Sequence, residues 1–119
     1  MLPEESDAAH LWDMLYYSRA ILAEVSSMTL EDYRKEDNFR LAIERRIEII
    51  GEAANRVSVI FRKQHPDIPW RPIIAQRNVL AHAYGEIDDE RVWQVAVVHI
   101  PQLVAMLEPL APSAPASEE

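Results

Sequence analysis

The sequence predicts an all-α protein. The expected form is an antiparallel bundle of four to five helices over residues 1–110, with a disordered Pro/Ala/Ser-rich tail at 111–119. Three observations predict it. Only two glycines occur in 119 residues. Apolar and polar residues rarely alternate as a half-buried strand requires. Apolar residues instead recur at intervals of three and four, the period of a helix with one buried face.

The elements follow in order. Leu11, Leu15, Leu22 and Val25, with Trp12 and Tyr16 beside them, mark a first helix over 7–27. Thr29 before Glu31 and Asp32 is an N-cap with acids in the first turn, and opens a short helical turn. Phe39, Ile43, Ile47, Ile50, Ala54 and Val57 give the clearest stripe in the chain. On its polar side Glu52 and Arg56 form a favourable i,i+4 pair. Gly51 lies inside this helix, at a cost of about 1 kcal/mol against alanine. A close helix crossing is the expected compensation. Ser58 caps a further turn through Phe61.

"HPDIPWRP" then breaks the chain, with three prolines within seven residues. Ile73, Ile74, Val79 and Leu80 supply a helix over 70–82, closed by Gly85. Asp88 caps the last helix. Its expected buried stripe is Val92, Ala96, His99, Leu103, Met106 and Leu110, which makes His99 a hydrogen-bonded core histidine. Pro101 falls inside that pattern and predicts a kink or short break. The large stripes exceed what one small bundle hides, which favours an oligomer.

Composition narrows the function. No cysteine is present, so disulfides and thiolate metal sites are excluded. Residues 11–30 hold Asp13, Arg19 and Glu24 and would not span a bilayer. The acidic first ten residues do not resemble a signal peptide. A cytoplasmic protein without membrane contact is expected. Net charge is −8, which argues against generic nucleic-acid binding. Its distribution is uneven. Residues 40–77 hold eight basic side chains against four acidic ones, a local +4 on an otherwise acidic body. These charges are either ion-paired helix faces or a basic surface.

"RNVLAHAY" at 77–84 places a guanidinium, an imidazole and a phenol close together. On an ideal helix Arg77 and Tyr84 are about 20° apart in azimuth and about 10 Å apart along the axis. Arg77 and His82 are about 140° apart, so one straight helix does not bring all three to one atom. Either the helix end unwinds, or a second copy completes the group. The residue types suit phosphate chemistry. Arginine grips phosphate oxygens with a planar fork, and histidine exchanges protons near neutral pH. Such a pair can cleave RNA through the 2′-hydroxyl with no metal or other cofactor. His10, His65, His82 and His99 are scattered, and no two have i,i+4 spacing, so no metal site is expected.

The motif R-x4-H-x-Y resembles the signature of the HEPN superfamily, and of its HepT-like branch in particular. The likeness extends through "AIERRIEIIGEAANRVS" (42–58), "HPDIPWRPIIAQRN" (65–78) and "IDDERVWQVAVVHIPQL" (87–103). Ala83 departs from the pattern, where glycine is expected between His and Tyr.

The resemblance implies the toxin of a type VII-like toxin–antitoxin pair, an endoribonuclease acting on RNA as a homodimer. In that reading Arg77 holds the scissile phosphate and His82 does acid/base work. Tyr84 receives AMP from a cognate MntA-type nucleotidyltransferase, which silences the toxin. Asn78 is either an RNA contact or a cap for the helix end. Arg71, Arg45 and Arg46 are further candidate RNA contacts. The alternatives are a non-catalytic helical module serving a nucleotidyltransferase, and a plain dimerisation protein.

Overall fold

The computed structural model describes residues 5–82 and 87–111, with only the backbone of Glu5 and His82. Among these residues the chain is helical, with no strand. The long elements are α1 (Glu5–Val25), α3 (Asp37–Arg56) and α5 (Trp70–His82). The last rod is built from α6 (Asp89–Gln94), a π-helical turn (Val95–His99) and α7 (Ile100–Leu107). The short turns expected at Thr29 and Ser58 are α2 (Leu30–Lys35) and α4 (Val59–Gln64). The result is the expected all-α bundle. Helix α3 lies between α1 and α5, and the last rod packs on α1. The tail and the Gly85 cap fall outside the described residues, except for Ala111.

Three caps formed as their residues predict. Thr29 and Asp32 make a reciprocal capping box, each side chain accepting from the other's backbone N–H at 3.1 Å. The Ser58 hydroxyl accepts from Phe61 N at 3.1 Å. Asp88 accepts from the backbone of Glu90 and Arg91. One long-range bond adds to these. Asp7, nearly fully buried on α1, accepts from the Ser58 backbone N–H at 2.8 Å and from its hydroxyl at 2.7 Å. A buried carboxylate thus fixes the start of α4 to the start of α1.

The core is one continuous apolar cluster. On α1 the buried line is Asp7, Leu11, Met14, Ser18, Ile21 and Val25, a strict alternation of four and three. Leu22 only flanks that line, and Tyr16 is exposed and stacked on Trp12 at 5.0 Å. On α3 the stripe holds from Ile43 to Val57. Phe39, in the first turn of α3, is 37% exposed.

The last rod corrects the expected register. Its buried line is Val92, Ala96, Ile100, Leu103 and Leu107, and His99 is exposed. The cause is the π turn, in which Ile100 N–H bonds Val95 O. Each i→i+5 bond adds a residue to the turn, so Ile100 instead of His99 comes round to the core. The turn ends just before Pro101, which has no N–H to give and whose ring would crowd a regular helix. The break expected from Pro101 is therefore this turn.

Candidate functional site

The site is set by the crossing of α3 and α5. Gly51 is buried where the two helices meet. A Cβ added there would stand 2.2 Å from Arg77 Cβ and 2.9 Å from the Ile73 carbonyl oxygen. Any side chain at 51 would push α5 away. The close crossing expected of Gly51 thus exists, and it falls on the backbone that carries Arg77.

The approach of α3 leaves the stem of Arg77 little room. Arg77 Nε is buried and has no hydrogen-bond partner among the described residues. Its terminal nitrogen Nη1 donates to Asn78 Oδ1 at 2.9 Å. The guanidinium is thus held on the Asn78 side of α5. Asn78 is exposed, and His82 follows it by four residues, one turn along the same side. The 140° separation compares helix positions; the long arginine side chain, steered by Asn78, spans part of it. His82 closes α5 as its last residue. Its side chain, with Ala83 and Tyr84, lies outside the described residues.

Of the other candidates, Arg71 is exposed on α5, six residues before Arg77 or about 9 Å along the axis. Like Asn78 it falls on the side of His82, seven residues being close to two turns. Arg45 and Arg46 are on α3, six and five residues before Gly51, and both are engaged. Arg46 pairs with Glu24 across to α1, and Arg45 pairs with Glu48 at 3.4 Å on its own helix. The structure therefore brings Arg77, Asn78 and Arg71 to one helix, and places Arg45 and Arg46 on another with carboxylates beside them.

A groove of about 790 Å3 lies on a different flank of α5. Gln76 and Val79 form one wall, and Gln94, His99 and Gln102 the other. Neither Arg77 nor Asn78 lines it. Among the described residues no three His, Asp or Glu side chains cluster as metal ligands would. No helix there is long and apolar enough to cross a membrane.

Sequence reasoning did not link Gly51 to Arg77. The two are 26 positions apart, and only the fold joins them. The available signal was a helix-interior glycine followed by alanines at 53 and 54, which indicates a crossing but not its partner.

Known proteins resemble this chain in sequence. The family model described as "Ribonuclease HepT-like" matches residues 14–110. A relative from Thermococcus cleftensis named "Probable ribonuclease HepT" is 36% identical over 80 residues, covering 67% of this chain and 73% of its own. A "Putative RNase" from Methanocaldococcus jannaschii is 27% identical over 107 residues, covering 90% and 88%. Another "Putative RNase", from Caldanaerobacter subterraneus subsp. tengcongensis, is 30% identical over 94 residues, covering 79% and 84%. No solved structure matches. The chain belongs to the HepT-like ribonucleases of the HEPN superfamily, and is an RNA endonuclease of that family.

Proposed function

We propose that this chain is the toxin of a type VII-like toxin–antitoxin pair, a homodimeric endoribonuclease that needs no metal and is silenced by AMP transfer to Tyr84. The observation that carries this is the placement of the Arg77 head. Asn78 holds it on the side of α5 that ends in His82. A phosphodiester lying along that side meets a charged fork and, one turn on, a proton-exchanging residue.

In this reading His82 takes the proton of the 2′-hydroxyl. The freed oxygen attacks the adjacent phosphorus, and Arg77 neutralises the charge that builds on the phosphoryl oxygens. The bond from phosphorus to the 5′-oxygen breaks, and that oxygen takes up a proton. The products are a 2′,3′-cyclic phosphate and a 5′-hydroxyl. A histidine from a second copy can complete the acid/base pair. In such a dimer the partner copy would pack on α5, where the 49% exposed Val79 lines the groove.

Tyr84 follows His82 by two residues. A cognate MntA-type nucleotidyltransferase would let the tyrosine oxygen attack the α-phosphorus of ATP, with pyrophosphate leaving. The phosphate so attached would occupy the Arg77 fork in place of RNA.

The test uses purified protein, RNA and EDTA. Cleavage should persist in chelator and leave cyclic phosphate ends. Arg77→Ala should lower the rate by about 10²–10³, and His82→Ala by about 10²–10⁴. Intact mass after co-expression with the partner should show AMP additions that Tyr84→Phe lacks. Activity lost to EDTA, or activity unchanged by both alanines, would defeat the mechanism. A partner that neutralises Tyr84→Phe in full would defeat the role of Tyr84.

A further inference from the structure

The cations of this protein are sorted. Seven of the twelve Lys and Arg side chains pair with a carboxylate, and all seven lie on α1, α2 and α3. Among the described residues the other five, Arg62, Lys63, Arg71, Arg77 and Arg91, make no ion pair. Helices α4 and α5 hold no acidic residue, so their cations have no partner on their own helix.

Three of these five line one hollow. It is a shallow space of about 510 Å3 between α4 and the start of α5, walled by Arg62, Lys63 and Arg71 over Pro66, Ile68 and Trp70. No carboxylate lines it; Asp67, in the same turn, is not part of the wall. Arg62 is fixed in place, since its Nε donates to the Val57 carbonyl at 3.1 Å. The prolines of "HPDIPWRP" hold the two cation-bearing helices at a set distance. Arg71 also shares with Asn78 the side of α5 that carries the Arg77 head. A strand leaving the hollow along that side of α5 would reach Arg77.

We propose that Arg62, Lys63 and Arg71 form a subsite for the phosphate backbone of single-stranded RNA, feeding the strand along α5 to Arg77. The subsite rests on reading the chain as an RNA-cutting enzyme. An apolar floor, one fixed arginine and two further cations suit a flexible strand, whose phosphates can follow the bend between α4 and α5. A rigid duplex cannot bend into so small a hollow without cost.

The test is binding of a fluorescent single-stranded RNA oligonucleotide by the full chain across a salt series. Each phosphate contact on a single strand contributes about 0.7 to the log–log slope of affinity against salt. Arg62→Gln/Lys63→Gln/Arg71→Gln should therefore bind with a slope shallower by about 2. Its loss should be uniform across sequences. In cleavage KM should rise while kcat changes little, because the reacting atoms are untouched. Lys63→Gln/Arg71→Gln leaves the Arg62 bond intact, and should shift the slope by about 1.4. The control removes three paired cations, Arg19→Gln/Arg34→Gln/Arg56→Gln, with the same change in charge, and should leave the slope unchanged.

Unchanged slope in both subsite variants would overturn the proposal. So would an equal loss in the control, which would make the effect one of net charge, or an equal loss for duplex RNA, which would make the hollow a general polyanion surface. A wild type that binds with the full slope yet cuts no RNA would overturn the ribonuclease mechanism and leave the subsite standing. Cleavage that survives in subsite variants with unaltered KM would do the reverse.

Discussion

Two junctions in this bundle are built in opposite ways. Where α3 crosses α5, the fit depends on an absent side chain, Gly51 against the Arg77 stem. Where α1 meets α4, it depends on an added one, the buried Asp7 carboxylate bonded twice to Ser58. The first junction lies under the candidate site; the second holds only architecture. Stability and activity should therefore come apart between them. Damage at the crossing should cost both, and damage at the Asp7 junction only stability.

The largest effect is expected at the crossing. Gly51→Ala adds one methyl group where α5 has no space to give. Overpacking of this kind costs about 1–3 kcal/mol. The shift it forces on Arg77 should cut RNA cleavage by about 10²-fold, the usual result of a catalytic group misplaced by about 1 Å. Denaturant unfolding and a cleavage assay on the same sample check both parts. A folded Gly51→Ala with full activity would show that the crossing does not position Arg77.

A smaller effect is expected at the other junction. Ser58→Ala removes the α4 cap and one of the two bonds to Asp7, and should cost about 0.5–2 kcal/mol. Cleavage per folded molecule should match the wild type. Activity falling together with stability would mean the two junctions are coupled, and the contrast would fail.

The smallest effect is expected away from both. Burial raises the pKa of Glu44, Asp89 raises it further, and Arg40 partly opposes them. A carboxyl raised in this way prefers its protonated form in the folded state. Stability is therefore favoured at low pH and falls as pH rises from the usual 4.5 through the raised value. Glu44→Gln should stabilise the protein at neutral pH by less than about 1 kcal/mol, since the group is partly solvated. That gain should vanish below pH 4.5, and cleavage should not change. Thermal melts at the two pH values measure it.

What could be read from the sequence was what neighbours decide. Thr29, Ser58 and Asp88 cap helices through residues two or three places on, so their roles show in the local pattern. Gly51 announced a crossing for the same reason. Bonds across the fold left no such trace. Asp7 and Ser58 are 51 positions apart, and nothing near either marks the pairing. His99 was misread because a helical wheel assumes one residue spacing, and the π turn changes it. The 140° between Arg77 and His82 was sound for backbone positions, but said nothing of the reach of a guanidinium steered by Asn78. The ion-pair sorting was half visible. The basic segment stood out in the sequence, and only the fold separates its occupied cations from the rest.

The π turn before Pro101 has a consequence for how this gene can change. A codon lost inside a regular helix swings every later residue about 100° around the axis. Within residues 95–99 the helix already carries one residue more than a regular turn needs. A single-codon deletion there would restore the regular period and keep Leu103 and Leu107 facing the core. It would also return the carbonyl then four residues before Pro101 to the path of its ring. Length and proline are thus linked: the deletion should be tolerated where Pro101 is also replaced, and selected against where it is kept.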